Sequence, residues 1–288
     1  MTRGRGIFLV AGATGNVGGG VTRHLLDAGC PVRALVRPGS KGPVPAGAAV
    51  VEADLNDRAS LRSAYADVEA AFLLAGYPDM PGILADLNAA GVERVVLLSS
   101  GCVVGGDLDN AVVRFNVVSE AAVRDSGLPW TVLRPSGFMS NTLQWVDQLR
   151  TGDVVREPFA DVPIAVIDPD DIAAVASLVL RTPGHDAQSY RLTGPDVLLP
   201  AERAAILGAV LQRPIQLQPE PDDQARVRME ESMPPEMVDA FFQFFRRGGY
   251  DDAHVNDVAP TLLGRPLRTF RAWADANHGA FGGLAFCG

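Results

Sequence analysis

The stretch that decides the fold is residues 7–18, with the sequence IFLVAGATGNVG. An apolar run leads directly into three glycines at the spacing Gly12-x-x-Gly15-x-x-Gly18. In this pattern the first glycine permits a tight turn, the second lets backbone N–H groups approach a pyrophosphate, and the third lets a helix pack closely on a strand. We interpret the stretch as a strand, a phosphate-binding turn and the start of a helix, whose N-terminus favours an anion. The simpler alternative is a tight strand-to-helix turn without a ligand. The residues expected to contact the phosphates are Gly12, Thr14, Gly15, Asn16, Val17 and Gly18.

Outward from this stretch, β-rich runs alternate with helical patterns, which is typical of a parallel sheet built from βαβ units. Strands are predicted at 6–11, 31–36, 48–52, 70–75, 94–99, 129–134 and 163–167. Helices are predicted near 17–28, 58–66, 80–90, 111–126, 138–150 and 171–181, and then near 200–212, 222–230, 235–247 and 267–277. We therefore predict an α/β fold with a doubly wound parallel sheet of Rossmann type. Residues 1–150 form the nucleotide-binding part, while residues 151–288 complete the sheet and form a smaller, mostly helical lobe on the substrate side.

Composition narrows the classes of partner. The 288 residues carry a formal net charge of -9. This argues against nucleic acid or anionic membranes as partners, because both bind to clusters of positively charged side chains. No apolar run approaches the 18 or so residues that a membrane helix needs. Three cysteines, Cys30, Cys102 and Cys287, lack disulfide or metal-type spacing, so a reducing cytosol is the expected compartment. The four histidines are scattered, and no metal site is expected.

Two basic residues follow the second predicted strand. An NAD-binding Rossmann unit usually carries an acidic residue about 20 positions beyond the glycines, where it binds the ribose hydroxyl. Arg37 occupies that place and Lys41, the single lysine of the chain, follows it. A guanidinium can hold a 2′-phosphate, so the pattern favours NADP(H) over NAD(H); a merely solvated Arg37 is the alternative. Asp54 and Leu55 end the next strand, where the adenine is expected. Asp54 either accepts from the adenine amine or caps the following turn.

Several separated motifs resemble the NmrA-like branch of the atypical short-chain dehydrogenases/reductases. They are the glycine-rich turn, VVLLSS at 95–100, SGLPWTVLRPSGFMSN at 126–141, DPDDIA at 168–173, YRLTGP at 190–195 and TFRAWA at 269–274. The resemblance implies that certain residues at strand ends border the path from adenosine to nicotinamide, namely Leu74, Ala75, Gly76, Ser99 and Ser100. It also implies that Pro135, Gly137 and Phe138 line the nicotinamide end.

The usual catalytic pair of this superfamily is absent. In Tyr-x-x-x-Lys the lysine lowers the pKa of the tyrosine, which then donates a proton to a carbonyl. None of the four tyrosines here is followed four positions later by lysine. NmrA-like relatives often place a Lys or His four positions before a helix glutamate; that glutamate resembles Glu120, and the matching position is Asn116. The candidate proton donors or positioning residues are Tyr77, Asn116, Ser136, Asn141 and Gln144.

Three functions remain open from the sequence. The first is an NADPH-dependent oxidoreductase that reduces a small aromatic, quinone-like or otherwise activated acceptor, because such acceptors need little acid catalysis. The second is a non-catalytic NADP(H)-sensing regulator acting through protein partners. The third is a non-redox cyclase or isomerase built on the same fold. A homodimer is an expectation that the sequence does not decide. Asp168 and Asp171 lie where the helix predicted at 171–181 begins, and an aspartate ahead of a helix is usually an N-cap; this is the expected role, for Asp171 in particular, with a role in the site as the alternative.

Overall fold

A computed structural model describes residues 6–282. The strands are β1 Ile7–Val10, β2 Val32–Val36, β3 Ala49–Glu52, β4 Val68–Leu74, β5 Arg94–Leu98, β6 Trp130–Pro135, β7 Val154–Glu157, β8 Gln188–Leu192 and β9 Gln216–Pro219. The α-helices are α1 Asn16–Asp27, α2 Met80–Ala89, α3 Ala111–Asp125, α4 Val146–Thr151, α5 Pro169–Arg181, α6 Pro200–Leu211, α7 Asp222–Glu230, α8 Pro235–Arg246, α9 Val258–Leu263 and α10 Phe270–Asn277. Short 3₁₀ helices cover Arg58–Ala64, Gly101–Gly105, Met139–Trp145 and His278–Phe281.

The main sheet has seven strands in the order β3-β2-β1-β4-β5-β6-β8, and every pairing is parallel. Strand order reverses beside β1, so the carboxyl ends of β1 and β4 flank a crevice of the kind that binds ligands in open α/β sheets. Both faces of the sheet are covered. Phe8 and Val10 of β1 pack in a core with α1 and α5, whereas Leu9 between them packs in a second core with α2. The predicted doubly wound Rossmann-type sheet is confirmed.

The segment 163–167 is not a strand of this sheet, and its prediction as one is wrong. The segment crosses the carboxyl ends of the strands and forms only isolated bridges, Ile164 with Leu198 and Ile167 with Phe138. Ala165, Val166 and Ile167 are buried because the segment covers the core at the carboxyl ends of the strands. The seventh strand of the sheet is β8, which pairs with β6 from Thr131 opposite Gln188 onward. The sequence of β8, QSYRL, has too few apolar residues to stand out as a buried strand.

The second half of the chain forms the lobe beside those strand ends. It is mostly helical as predicted, but β7 and β9 add a small parallel sheet that the polar sequence of β9, QLQP, does not reveal. The helix predicted at 138–150 begins as a 3₁₀ helix and becomes α-helical at α4. Helix α9 was not predicted. A lobe core gathers the large side chains Trp145, Phe270, Trp273 and Phe281.

Asp168 is the N-cap of helix α5, as expected, whereas Asp171 is not a cap and its prediction as one is wrong. The Asp168 carboxylate accepts from the backbone N–H of Asp170 at 2.9 Å. Asp171, in the first turn of α5, accepts instead from the backbone N–H of Arg268 at 2.8 Å and pairs with Arg265. Asp171 therefore ties the segment between α9 and α10 to α5.

Cys30 and Cys102 are buried free thiols, and Cys287 lies outside the described residues. Within residues 6–282, no three His, Cys, Asp or Glu side chains cluster as a metal site would require. None of the helices in that range has the length and apolar character needed to cross a membrane.

Candidate active site

The glycine-rich turn has the geometry that its sequence predicts. Gly12 adopts a φ of 67°, a left-handed conformation that favours glycine. A Cβ on Gly18 would overlap the carbonyl oxygen of Gly12, so only glycine lets α1 approach β1 this closely. Gly15 is the N-cap of α1 and has no side chain to offer to the N–H groups of the first turn. Those N–H groups, at the positive end of the helix, fit a pyrophosphate.

The loop after β2 folds against this turn. The hydroxyls of Thr14 and Ser40 lie 3.3 Å apart, and a Cβ on Gly42 would come within 2.7 Å of the Thr14 Cβ. Arg37 and Lys41, on the same loop, are both exposed. The loop thus holds two cations beside the phosphate-binding turn. Ser40 is a neighbour that the sequence analysis missed, although its place between the two cations was visible.

The carboxyl end of β4 adjoins the other side of the turn. Leu74 packs on Gly12, since a Cβ there would lie 2.9 Å from the Leu74 Cδ1. Ala75 donates its backbone N–H to Leu98, and Gly76, at a φ of 99°, donates its own to the Ser119 hydroxyl at 2.9 Å. These contacts bring the ends of β4 and β5 together. Leu74, Ala75 and Gly76 therefore lie along one edge of the crevice.

Tyr77 lies at the end of the crevice near Arg37 and Asp54. Burial raises the pKa of Tyr77, while the charge of Arg37 lowers it and that of Asp54 raises it. Asp54 accepts from the backbone N–H of Asn56 at 2.9 Å and so caps a turn, and Leu55 beside it is buried. Tyr77 lines a small pocket with Gly76 and Phe115 and is not among the residues of the larger cavity, which Ser136, Asn141 and Gln144 line.

This larger cavity, of about 820 Å³, opens between the strand ends and the lobe. It is connected to the glycine-rich turn through Asn16, whose side-chain amide donates to the Ser140 hydroxyl at 3.2 Å. The predicted residues that line the cavity are Ser99, Ser100, Pro135, Ser136, Gly137, Phe138, Asn141 and Gln144. A crevice that runs from Arg37 past the turn into this cavity has the layout of an extended dinucleotide site with a substrate pocket at one end.

Most of the cavity wall is apolar. Aromatic rings from α8 and from the segment after β7 contribute to this wall, together with Phe138 and methionines of α7 and the α7–α8 connection. The residues of this apolar wall are Phe138, Phe159, Met229, Met233, Phe241, Phe244 and Phe245. Phe159 packs edge to face against Phe242, with ring centroids 5.0 Å apart, and this contact supports the wall from behind. Such a wall suits a flat aromatic molecule.

Three of the catalytic candidates already donate hydrogen bonds to other groups of the protein. Ser136 is buried, and its hydroxyl donates to the carbonyl of Ala165. The Asn116 amide donates to the carbonyl of Val112 at 2.9 Å, and Asn116 lies behind Ser99 instead of facing the cavity. The Gln144 amide donates to Glu157 at 3.0 Å. Asn141 is exposed at the cavity mouth.

Glu120 is fully buried behind Ser99. Its carboxylate accepts from the Ser99 hydroxyl at 2.7 Å, from Arg134 at 2.6 and 2.9 Å, and from Arg124 at 2.5 Å. Burial alone would raise the pKa of Glu120, but the hydrogen bonds from Arg134 and Ser99, with the charge of Arg134, lower it overall. Glu120 is thus an ionised anchor that fixes the ends of β5 and β6.

The far end of the cavity is polar. Arg203 is 4% exposed, stacks over the Trp145 ring at 5.3 Å and lies 3.9 Å from a Glu157 oxygen. Glu157 also accepts from the Trp145 ring N–H at 2.7 Å. Burial raises the pKa of Glu157, and the neighbouring Trp145 and Arg203 counteract that rise. This end offers hydrogen-bonding groups to a substrate whose body lies against the apolar wall.

A second polar group lies near the strand ends and was missed by sequence reasoning. Tyr250 lines the cavity, and its hydroxyl bonds to both Arg191 and Asp252. The motif YRLTGP contains Arg191, but the other two residues lie some 60 positions further on, in a segment without a recognisable pattern. The doubly wound sheet, the phosphate-binding turn and the adjoining apolar cavity together define a dinucleotide-dependent oxidoreductase of Rossmann type.

Comparisons with known proteins agree with that class. The model of a family described as NAD(P)H-binding matches residues 12–183. The chain is 40% identical over 280 residues to (4-alkanoyl-5-oxo-2,5-dihydrofuran-3-yl)methyl phosphate reductase of Streptomyces griseus, covering 96% of this chain and 99% of the relative. It is 34% identical over 285 residues to NAD(P)H azoreductase of Xenophilus azovorans, again covering 96% and 99%. The chain belongs to this NAD(P)H-binding family, in the NmrA-like branch of the atypical short-chain dehydrogenases/reductases.

A solved structure supports the fold. The NADPH-dependent quinone oxidoreductase of Escherichia coli superimposes with a TM-score of 0.76, covering 94% of this chain and 99% of that one, at 24% sequence identity. The predicted family is confirmed, and the prediction of an NAD(P)H-linked oxidoreductase is confirmed at the level of the family. The roles of individual residues stay predictions.

Proposed function

We propose that this protein uses NADPH to reduce a small, flat, conjugated acceptor of aromatic or quinone-like type. The observation that carries the proposal is the cavity of about 820 Å³ with an apolar, largely aromatic wall, adjoining the glycine-rich turn through the hydrogen bond from Asn16 to Ser140. NADPH supplies a hydride at its nicotinamide ring. The protein then has to hold the acceptor face to face with that ring and exclude water.

We assign the nucleotide to the crevice in three parts. The pyrophosphate would bind at the turn from Gly12 to Gly18, where α1 presents its N-terminus without a side-chain cap. The adenosine 2′-phosphate would bind Arg37 and Lys41 on the loop that Ser40 holds against Thr14. A carboxylate at position 37 would repel that phosphate, which is the reason for proposing NADPH over NADH.

The nicotinamide would lie between the ends of β5 and β6, against Pro135, Gly137 and Phe138. Ser99 and Ser100 form the other side of this space. Phe138 belongs to both the nicotinamide space and the apolar wall, so an acceptor stacked in the cavity would meet the nicotinamide there. We therefore assign Phe138 to acceptor orientation.

The relatives support a conjugated acceptor. A dihydrofuranone, an azo compound and a quinone, which their names give as substrates, all contain a conjugated π bond able to accept a hydride. The apolar wall fits the body of such a molecule, and Arg203 at the far end fits a polar substituent. No comparable fit favours the regulatory or the isomerase alternative.

The test is reduction of an acceptor panel by purified protein. We expect NADPH oxidation, followed by absorbance, with at least one quinone, azo dye or conjugated enone, and no oxidation without acceptor. Tight NADPH binding without oxidation by any acceptor would favour the regulator, and conversion of a ligand without NADPH would favour the isomerase.

The cofactor preference is tested separately with Arg37→Asp. The variant loses a charge-assisted contact to the 2′-phosphate, so we expect NADPH affinity to fall by about 10-fold to 100-fold. NADH affinity should stay within about threefold, because NADH has no phosphate there. Arg156→Asp, an exposed position on β7 away from the crevice, is the matched control. An unchanged ratio of NADPH to NADH affinity in Arg37→Asp would refute the assignment.

A further inference from the structure

We propose that the Tyr250 hydroxyl donates the proton that completes reduction of a neutral acceptor, with Arg191 and Asp252 as its positioning residues. The inference rests on the proposed reductase function and supplies the proton donor that the missing Tyr-x-x-x-Lys pair leaves open.

The hydroxyl is held by two short hydrogen bonds. Arg191 Nη1 donates to the Tyr250 oxygen at 2.6 Å, and the Tyr250 hydroxyl donates to Asp252 Oδ1 at 2.6 Å. The Arg191 guanidinium also lies 5.3 Å from the centroid of the Tyr250 ring. Arg191 thereby places a cation on the phenol oxygen, which is the electrostatic role that lysine has in the usual pair.

The network lies at the reacting end of the cavity. Asp252 Oδ2 accepts from the backbone N–H of Gly137 at 2.7 Å, which ties it to the segment after β6. A Cβ on Gly101 would lie 2.5 Å from the Tyr250 oxygen, so the hydroxyl packs directly on the residue after Ser100. The hydroxyl therefore lies between the ends of β5 and β6, beside the space that we assign to the nicotinamide.

Three of the other candidate groups already donate hydrogen bonds within the protein. Ser136 donates to the carbonyl of Ala165, Asn116 to that of Val112 and Ser99 to the buried Glu120 carboxylate. The Tyr250 proton can turn toward a substrate without leaving its acceptor unpaired, because Asp252 retains hydrogen bonds from Gly137 and Arg191.

The proposed reduction adds one hydride and one proton to the acceptor. A hydride from NADPH forms a C–H bond on the acceptor, the conjugated π bond breaks, and its electron pair moves to the acceptor oxygen or nitrogen. That atom takes the Tyr250 proton, and the resulting phenolate is stabilised by Arg191 until water returns a proton. Burial and the adjacent Asp252 carboxylate raise the pKa of Tyr250, and Arg191 counteracts that rise, so the hydroxyl carries its proton at neutral pH.

The first experiment compares two acceptors in Tyr250→Phe. Reduction of a neutral quinone needs a proton, whereas hydride transfer to a cationic triarylmethyl dye gives a neutral product and needs none. We expect kcat for the quinone to fall about 100-fold or more, while kcat for the dye stays within about threefold. Tyr190→Phe is the control, since its hydroxyl bonds to His185 and is not part of this network. Equal losses with both acceptors, or no loss with the quinone, would overturn the proposal.

The second experiment requires no turnover. 4-Nitrophenolate mimics an aromatic oxyanion, and its binding to the cofactor-free protein can be followed by absorbance. A hydrogen bond to a charged group predicts about tenfold weaker binding by Tyr250→Phe and unchanged binding by Tyr190→Phe. Equal binding by wild type and Tyr250→Phe, or no binding by wild type, would overturn the placement of the hydroxyl. Absence of NADPH oxidation with every acceptor would instead overturn the proposed function.

Discussion

Replacing Glu120 with glutamine tests whether the buried carboxylate anchors the strand ends. Glu120 is 0% exposed and accepts hydrogen bonds from Arg134, Arg124 and Ser99. Removing one partner of a buried ion pair costs about 3–5 kcal/mol. The side chains of Arg134 and Arg124 remain 21% and 38% exposed, so water partly solvates them in the variant. We therefore expect the free energy of unfolding to fall by about 3 kcal/mol, the lower end of that range.

The assay is urea denaturation of wild type and Glu120→Gln at about pH 7 and about pH 3.5. Because the pKa of Glu120 is lowered in the folded protein, its contribution to stability is present above the unfolded pKa of about 4.3 and is lost as the pH falls through the folded value. The stability difference should therefore shrink at the lower pH. Asp147→Asn breaks an exposed pair with Arg150 and should cost less than about 0.5 kcal/mol. A loss below about 1 kcal/mol in Glu120→Gln at neutral pH would refute the reasoning.

Two further substitutions test the turn and the cavity. Gly18→Ala would force a Cβ onto the Gly12 carbonyl oxygen, so we expect NADPH binding, followed by fluorescence titration, to weaken at least tenfold, about 1.4 kcal/mol. Gly152→Ala adds a Cβ with no neighbour within 4 Å and should bind normally; similar binding by both variants would contradict the close-packing argument. Val162→Trp places a bulky ring in the cavity, so KM for an aromatic acceptor should rise about tenfold or more with NADPH affinity unchanged. An unchanged KM would show that acceptors bind elsewhere.

The part of the site that could be predicted from sequence is the part made by consecutive residues. The glycine spacing from Gly12 to Gly18 follows directly from the sterics of one tight turn, and Arg37 follows one strand later in the same βαβ unit. Alternation in β1 likewise assigns Phe8 and Leu9 to opposite faces of the sheet. Such features need only local geometry.

The strand predictions were wrong where a segment is buried, or paired, through contacts with residues distant in sequence. The apolar segment 163–167 has the composition of a strand, but it is buried because it lies across the strand ends, where its N–H groups bond to Gly137 and Asp252. Strand β8 has polar residues and is a strand because β6 offers it an unpaired edge. An apolar composition indicates that a segment is buried, but it does not indicate which part of the fold covers the segment.

The sequence by itself determined the family, the doubly wound sheet and the glycine-rich turn at Gly12 to Gly18, because each is carried by motifs or patterns of neighbouring residues. Only the tertiary structure decided which polar groups line the cavity. Tyr77, three residues after the end of β4, lines a separate small pocket, whereas Arg191 and Tyr250, 59 residues apart, share a 2.6 Å hydrogen bond beside the cavity. The crossing of separate chain segments over the sheet brings those two together, and no local spacing encodes that crossing.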